Sequence, residues 1–116
     1  MQNGVFLAFL AYLAFADRRR NVWAALFERA ATSGKAAPEW HRAEHLALVA
    51  RIVVALREML PLWSDERLGE LALSMFSMVH GIVSIGLQET VVSVPVKQLA
   101  TQLETVVEAL CRGLER

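Results

Sequence analysis

With 116 residues, the chain is long enough for one domain with a single hydrophobic core. Its 12 basic and 12 acidic residues cancel, so no global field attracts nucleic acid or an anionic membrane, which argues against a strongly cationic DNA-binding module. Apolar residues make up 55% of the sequence, more than in an average soluble domain, so we expect extra apolar surface to be buried in an oligomer or in lipid.

The first predicted element is an apolar helix from Met1 to Ala16, followed by a charged break from Asp17 to Arg20. This run is shorter than the roughly 20 residues of a membrane span. Its arginines follow the apolar run, whereas the basic residues of a signal peptide precede it. A short helix is predicted next, within the segment VWAALFERA that begins at Val22. Thr32 to Pro38 forms the clearest loop.

A long amphipathic helix is predicted from Glu39 to Leu60. Pro61 ends it, because proline disfavours helical geometry in the preceding residue. Ser64 is a suitable N-cap for the next helix, whose first turn carries Asp65 and Glu66. The side chains expected to face inward are Trp40, Ala43, Leu46, Val49, Ala50, Val53, Leu56 and Leu60.

The stretch from Leu71 to Gln88 has no charged residue and divides into two helical faces. The broad apolar face is expected to meet the core: Leu68, Leu71, Ala72, Met75, Phe76, Val79, Ile82 and Val83. The opposite face is a seam of small or neutral side chains: Ser74, Ser77, Gly81, Ser84 and Gln88, with Glu70 at its start. Because small residues allow close helix approach, this helix is predicted to pack on both sides. Its serines, histidine and glycines argue against a membrane span.

The segment from Glu89 to Val94 is predicted to be a linker, and Pro95 starts the last helix. A stripe at three- and four-residue spacing follows, as in a coiled coil: Val96, Leu99, Leu103, Val106 and Leu110. Cys111 is interpreted as a small core or interface residue. The fold class is therefore all-α, with five helices and six as the alternative.

His41, Glu44 and His45 spell the H-x-x-E-H pattern of inverted zinc peptidases. A catalytic zinc site needs a third protein ligand and an open position, and the only other histidine is His80. We therefore predict no catalytic metal site and interpret the three residues as solvated surface, with adventitious or regulatory metal binding as the alternative.

Two segments resemble TetR-family transcriptional regulators. FLAYLAFADRRRNVWAALFE is similar to a family stretch with a "Tyr-x-x-Phe-Ala" helix, a break and a short "Leu-Phe-Glu" helix, here Tyr12, Phe15 and Ala16 followed by Leu26-Phe27-Glu28. MFSMVHGIVSIGLQE resembles the family helix with a His-Gly pair, here His80-Gly81, preceded by the Ser64-Asp65-Glu66 turn. The resemblance covers roughly Gly4 to Leu114 and concerns the C-terminal domain alone, since no helix-turn-helix segment is found in residues 1–116.

The resemblance implies a homodimer in which the last two long helices of each chain form a four-helix bundle. The residues suited to that interface are Ser74, Ser77, Gly81, Ser84, Gln88, Leu99, Leu103, Val106 and Leu110. The alternative is that both stripes close the core of a single chain.

The resemblance also implies a small, largely apolar effector in an internal cavity. The residues suited to line it are Phe9, Tyr12, Trp23, Phe27, Met59, Trp63, Met75, Phe76, Met78 and His80. Each could instead be ordinary core. His80 in particular is interpreted as a buried neutral group that is hydrogen-bonded across helices, with a direct contact to the effector as the alternative.

The resemblance therefore implies a single cytoplasmic effector-sensing and dimerisation domain over residues 1–116 of a TetR-like regulator, a repressor in the family's manner. We expect no enzymatic activity, cofactor or membrane partner. DNA would be bound only through a domain outside this chain. The alternative is a helical homodimeric interaction module without a ligand pocket.

Overall fold

The computed structural model of the protein describes residues 4–25, 39–87 and 94–115, and of residues 39–41 the backbone alone. These residues form five α-helices and no strand, which confirms the all-α prediction. The predicted helix end at residues 26–30, the loop from Thr32 to Pro38 and the linker residues 89–93 lie outside them. The helices are α1 (Gly4–Arg18), α2 (Arg20–Trp23), α3 (Glu39–Met59), α4 (Asp65–Leu87) and α5 (Val96–Leu114).

Helix α1 is the centre of the arrangement, since it packs against each of the other four described helices. Its buried side chains recur at three- and four-residue spacing and form one face: Val5, Phe9, Tyr12, Leu13 and Ala16. Helix α3 packs against α4, α4 packs against α5, and α5 returns to α1. The four long helices α1, α3, α4 and α5 therefore surround the core, and α1 and α4 are also in direct contact.

The predicted break is a single residue, Arg19, with φ −127° and ψ 54°. Hydrogen bonds continue on both sides of it: the Arg19 amide donates to the Phe15 carbonyl at 2.9 Å, and the Trp23 amide donates to the Arg19 carbonyl at 2.8 Å. Arg20 and Asp17 form an ion pair across the bend. This redirection of the chain brings Trp23 back against α1.

The inward face of α3 differs from the sequence prediction. Leu56 and Leu60 are buried as expected, and Val49 and Val53 are half-buried, but Ala43, Leu46 and Ala50 are exposed. Ile52, which was not predicted to face inward, is fully buried. The physical reason is that α3 carries apolar residues on two opposite faces, so helical periodicity alone could not determine which face meets the core. The side chain of Trp40 lies outside the described part.

The connection from α3 to α4 is held by local hydrogen bonds. The Arg67 amide donates to Ser64 Oγ at 3.2 Å, which confirms the predicted N-cap. The Arg57 guanidinium donates to the Trp63 carbonyl at 2.6 Å and also contacts the Asp65 carboxylate. Arg57 therefore links the last turn of α3 to the first turn of α4.

The apolar face of α4 meets the core as predicted: Leu68, Ala72, Met75, Phe76, Val79 and Val83 are buried, and Leu71 and Ile82 are half-buried. By length and composition, α4 is long and apolar enough to cross a membrane. A core helix of a soluble protein meets the same criterion, so this property alone is weak evidence for a span.

In the second half of α5, the buried residues lie one position after those of the predicted stripe. Leu99, Leu103, Val107 and Cys111 are buried. Gly86 makes the approach of α5 to α4 possible, because a Cβ at that position would lie 2.4 Å from Leu99 Cδ2.

Candidate functional site

Three side chains from different helices form a buried hydrogen-bond chain. The Trp23 indole Nε1–H donates to the Tyr12 hydroxyl at 2.8 Å, and the Tyr12 hydroxyl lies 2.6 Å from His80 Nδ1. Tyr12 is only 4% exposed and Trp23 only 6%. Helices α1, α2 and α4 each supply one member, so the chain connects the N-terminal bend to the middle of α4.

The chemistry of the indole sets the direction of one of the two hydrogen bonds. An indole N–H can only donate, so the Tyr12 oxygen accepts from Trp23. The bond between the Tyr12 hydroxyl and His80 Nδ1 runs in the direction that the histidine tautomer sets, because this ring nitrogen accepts in one tautomer and donates in the other. The prediction that His80 is hydrogen-bonded across helices is thus confirmed, although its side chain is half-buried rather than fully buried.

Aromatic rings enclose the polar groups. The Phe76 ring stands edge-on to Tyr12 at 5.3 Å between centroids and lies 5.8 Å from His80. The Trp23 and His80 rings are 6.1 Å apart. These rings exclude water from one side of the hydrogen-bond chain, which strengthens its electrostatic interactions and raises the cost of removing any member.

A groove of about 250 Å³ runs between α1 and α3 and reaches Tyr12. Its lining combines three alanines and three larger apolar or aromatic side chains with two oppositely charged residues. The full lining is Ala8, Ala11, Tyr12, Phe15, Glu44, Ala47, Leu48 and Arg51. Tyr12 therefore belongs both to a surface groove and to the buried hydrogen-bond chain.

Most groove residues were not among the predicted ligand contacts. The signal that could have found them is the pair Ala8 and Ala11 facing Ala47, because small side chains on two packed helices leave space between them. A sequence does not show which helices are neighbours, so this signal can be recognised only once the pairing of α1 with α3 is known.

The predicted ligand residues fall into four groups. Tyr12, Trp23, Phe76 and His80 come together as described, whereas Phe9 and Met75 are fully buried in the core. Met59, Trp63 and Met78 are half-buried, and Phe27 lies outside the described residues. Met59 and Trp63 border a separate groove of about 290 Å³ near Leu114, where the Arg67 guanidinium lies 3.8 Å from the Trp63 ring centroid.

The outer face of α4 carries most of the predicted seam. Ser74 and Ser77 are exposed, Gly81 is half-buried, and a Cβ added at Gly81 would contact nothing within 4 Å. Ser84 is instead buried, near the point where the chain returns and the Val94 amide donates to the Gly86 carbonyl. Gln88 lies outside the described residues. Leu73 and Ile85, which the sequence analysis did not select, are each 56% exposed beside the seam.

The residues of the predicted interface stripe on α5 differ in how deeply they are buried. Leu99 and Leu103 lie in the chain's own core and have almost no surface to offer a second copy, as in the single-chain alternative. Val106 and Leu110 are half-buried at the edge of that core. The predicted interface residues that remain accessible therefore lie on the exposed face of α4 and on the Val106–Leu110 edge of α5.

The histidine pattern on α3 does not form a cluster in the described part of the chain. Glu44 points to the α1–α3 groove, whereas the His45 ring packs 6.4 Å from Phe76. No group of three His, Cys, Asp or Glu side chains suitable for a metal ion occurs among the described residues. The His41 side chain lies outside them.

Residues 6–112 match the protein family described as "Tetracyclin repressor-like, C-terminal domain". The chain belongs to this family. No curated protein and no solved structure gives a significant match. The tetracycline repressor-like assignment confirms the resemblance inferred from the sequence, and it places the chain among the effector-binding and dimerisation domains of such regulators.

Proposed function

We propose that this tetracycline repressor-like domain senses a small, largely apolar molecule that binds in the α1–α3 groove beside Tyr12. The observation that carries the proposal is the double role of Tyr12, which lines the groove and is also hydrogen-bonded to His80 of α4. A molecule in the groove can therefore act on α4 without reaching the core.

The lining sets the chemistry of the effector. The volume of about 250 Å³ lies just below the usual range for ligand pockets, so it suits only a compact molecule. The alanine and aromatic residues of the lining favour an apolar body. Tyr12 and the charged residues Glu44 and Arg51 favour one polar group, such as a hydroxyl, carbonyl or carboxylate.

The proposed response is a shift between two arrangements of the helices. A ligand shifts such an equilibrium only by binding one state more tightly than the other. If a ligand displaces the Tyr12 hydroxyl, Trp23 and His80 lose their shared partner, so α2 and α4 are both affected. Because α4 also carries the proposed dimer face, ligand binding would be coupled to the geometry of a homodimer.

In the complete regulator, a separate DNA-binding domain outside residues 1–116 would read this geometry. We assign the domain to a cytoplasmic repressor and give it neither a catalytic residue nor a cofactor.

The test is two-dimensional ¹H–¹⁵N NMR of the protein with a library of compact fragments that each carry one polar group. The reporter is the Trp23 indole Nε1–H resonance, identified by its loss in Trp23→Phe. We expect a subset of fragments to shift this resonance with saturable affinity. Ala11→Trp, which adds a large ring at a residue that lines the groove, should weaken that binding at least tenfold.

The matched control is Ala109→Trp, which adds the same ring to an exposed position on α5. Fragments that bind both variants as they bind the wild type would exclude the groove as the site. The absence of any fragment that shifts the Trp23 resonance would favour the alternative, a homodimeric interaction module without a ligand pocket.

A further inference from the structure

The outer face of α3 is apolar and exposed. Leu46 is 63% exposed and Val54 is 64% exposed. Ala43, Ala47 and Ala50 lie on the same face and are also exposed. The sequence pattern assigned Ala43, Leu46 and Ala50 of this face to the core, whereas the structure leaves all three exposed.

The stripe has the periodicity of a helix-packing surface. Ala43 and Ala50 are seven residues apart, two helical turns, and Leu46 and Val53 repeat at the same interval. Ala47 and Val54 form a third such pair. Small residues along the middle of a stripe allow a second helix to approach closely, and Leu46 and Val54 supply the apolar area that such a contact would bury.

The charges beside the stripe indicate what covers it. Glu44 and Arg51 are exposed, lie seven residues apart and therefore stand on the same flank of α3. Neither pairs with another described residue. If a second α3 runs antiparallel across the first near Ala47, each Glu44 comes opposite the other chain's Arg51. Two ion pairs then form by symmetry around an alanine-rich crossing.

We infer that the outer face of α3 is a homotypic contact, in which two copies of this chain pack their α3 helices antiparallel around a two-fold axis near Ala47. The contact uses a different helix from the proposed effector-domain dimer, whose surface is the outer face of α4. It therefore goes beyond the proposed function, and it shares Glu44, Ala47 and Arg51 with the lining of the α1–α3 groove. A chain that uses both faces assembles beyond a dimer.

A charge-swap series measured by sedimentation velocity tests this contact. Glu44→Arg places like charges opposite each other twice in each α3 pair, and so does Arg51→Glu. Each single variant should halve the number of subunits in the assembly, or raise its dissociation constant at least tenfold. The double variant E44R/R51E restores opposite charges and should recover the assembly of the wild type.

The control is Glu104→Arg, the same change of charge at an exposed position on α5. It should leave the assembly unchanged, and circular dichroism should show all four variants folded. An E44R variant that assembles like the wild type would overturn the inference, and so would a double variant that assembles no better than either single one. A Ser77→Glu variant tests the α4 face separately, so failure of one contact does not conceal the other.

Discussion

The hydroxyl of Tyr12 is the single group on which the proposed site depends most. Tyr12→Phe removes one oxygen and leaves the ring. The Trp23 N–H and His80 Nδ1 therefore lose this hydrogen-bond partner, while the packing changes little. We predict a loss of about 1–3 kcal/mol in the free energy of unfolding, measured with urea, because these groups remain in a largely buried environment.

Thr101→Val is the matched control for that change. It removes an exposed hydroxyl that bonds only to the Lys97 carbonyl, so it should alter stability by less than about 0.5 kcal/mol. A Tyr12→Phe protein as stable as Thr101→Val would show that the hydrogen-bond chain contributes nothing net to stability.

Gly86 is the residue that sets the distance between α4 and α5. In Gly86→Ala the new Cβ would overlap the buried Leu99 side chain, so Leu99 must move within a packed core. We predict that thermal unfolding reports a net loss of about 1–3 kcal/mol despite the better helix propensity of alanine.

Gly69→Ala provides the comparison, because a Cβ there would contact nothing within 4 Å. It should stabilise α4 by about 0.5–1 kcal/mol. Equal effects of the two substitutions would contradict the close approach at Gly86. A smaller side chain in G86A/L99V should recover part of the loss.

Among the elements, the turn between α3 and α4 depends on Arg57. Arg57→Gln shortens the side chain and removes its contacts with the Trp63 carbonyl and the Asp65 carboxylate. Because the guanidinium is partly exposed, we expect a loss on the order of 1 kcal/mol in chemical unfolding.

Arg112→Gln is the corresponding control. It breaks a single exposed pair with Glu108 on one helix and should change stability by less than about 0.5 kcal/mol. If both arginine variants behaved alike, the turn would not depend on Arg57.

How far each element could be predicted depended on how many apolar faces it carries. The end of α3 and the starts of α4 and α5 followed from Pro61, Ser64 and Pro95, and the inner face of α4 followed from its one broad apolar stripe. Helix α3 has two apolar faces, so Leu46 was assigned to the core although it is exposed, and the buried Ile52 was missed. The sequence also did not show that Leu99 is buried while Val106 is half-buried, because both positions fit a pattern of three- and four-residue spacing.

The hydrogen-bonded residues of the site were among those selected from the sequence, whereas most residues of the groove were not. Tyr12, Trp23 and His80 were selected as aromatic or polar residues in apolar helices, and the bend at Arg19 that joins them was recognised as a break. The pairing of α1 with α3, which creates the groove, is a tertiary property with no local signal.

At the level of the whole molecule, we propose that two copies of the domain pair through the outer face of α4. Leu73 and Ile85 expose apolar surface beside Ser74, Ser77 and Gly81, so a two-fold contact there would bury apolar groups around small side chains. Ser77 bonds only to the carbonyl one turn before it, at Leu73, so Ser77→Glu should not disturb the fold.

Native mass spectrometry of the wild type and Ser77→Glu, with Thr105→Glu as the control, tests pairing through α4 most directly. Thr105 is likewise exposed and bonded one turn back, to the Thr101 carbonyl, but it lies on the side of α5 opposite the core. We predict an even-numbered wild-type assembly of 12.9 kDa subunits, an unchanged control, and half as many subunits in Ser77→Glu because two glutamates would meet near the axis. A monomeric wild type, or a Ser77→Glu assembly of unchanged size, would contradict the account.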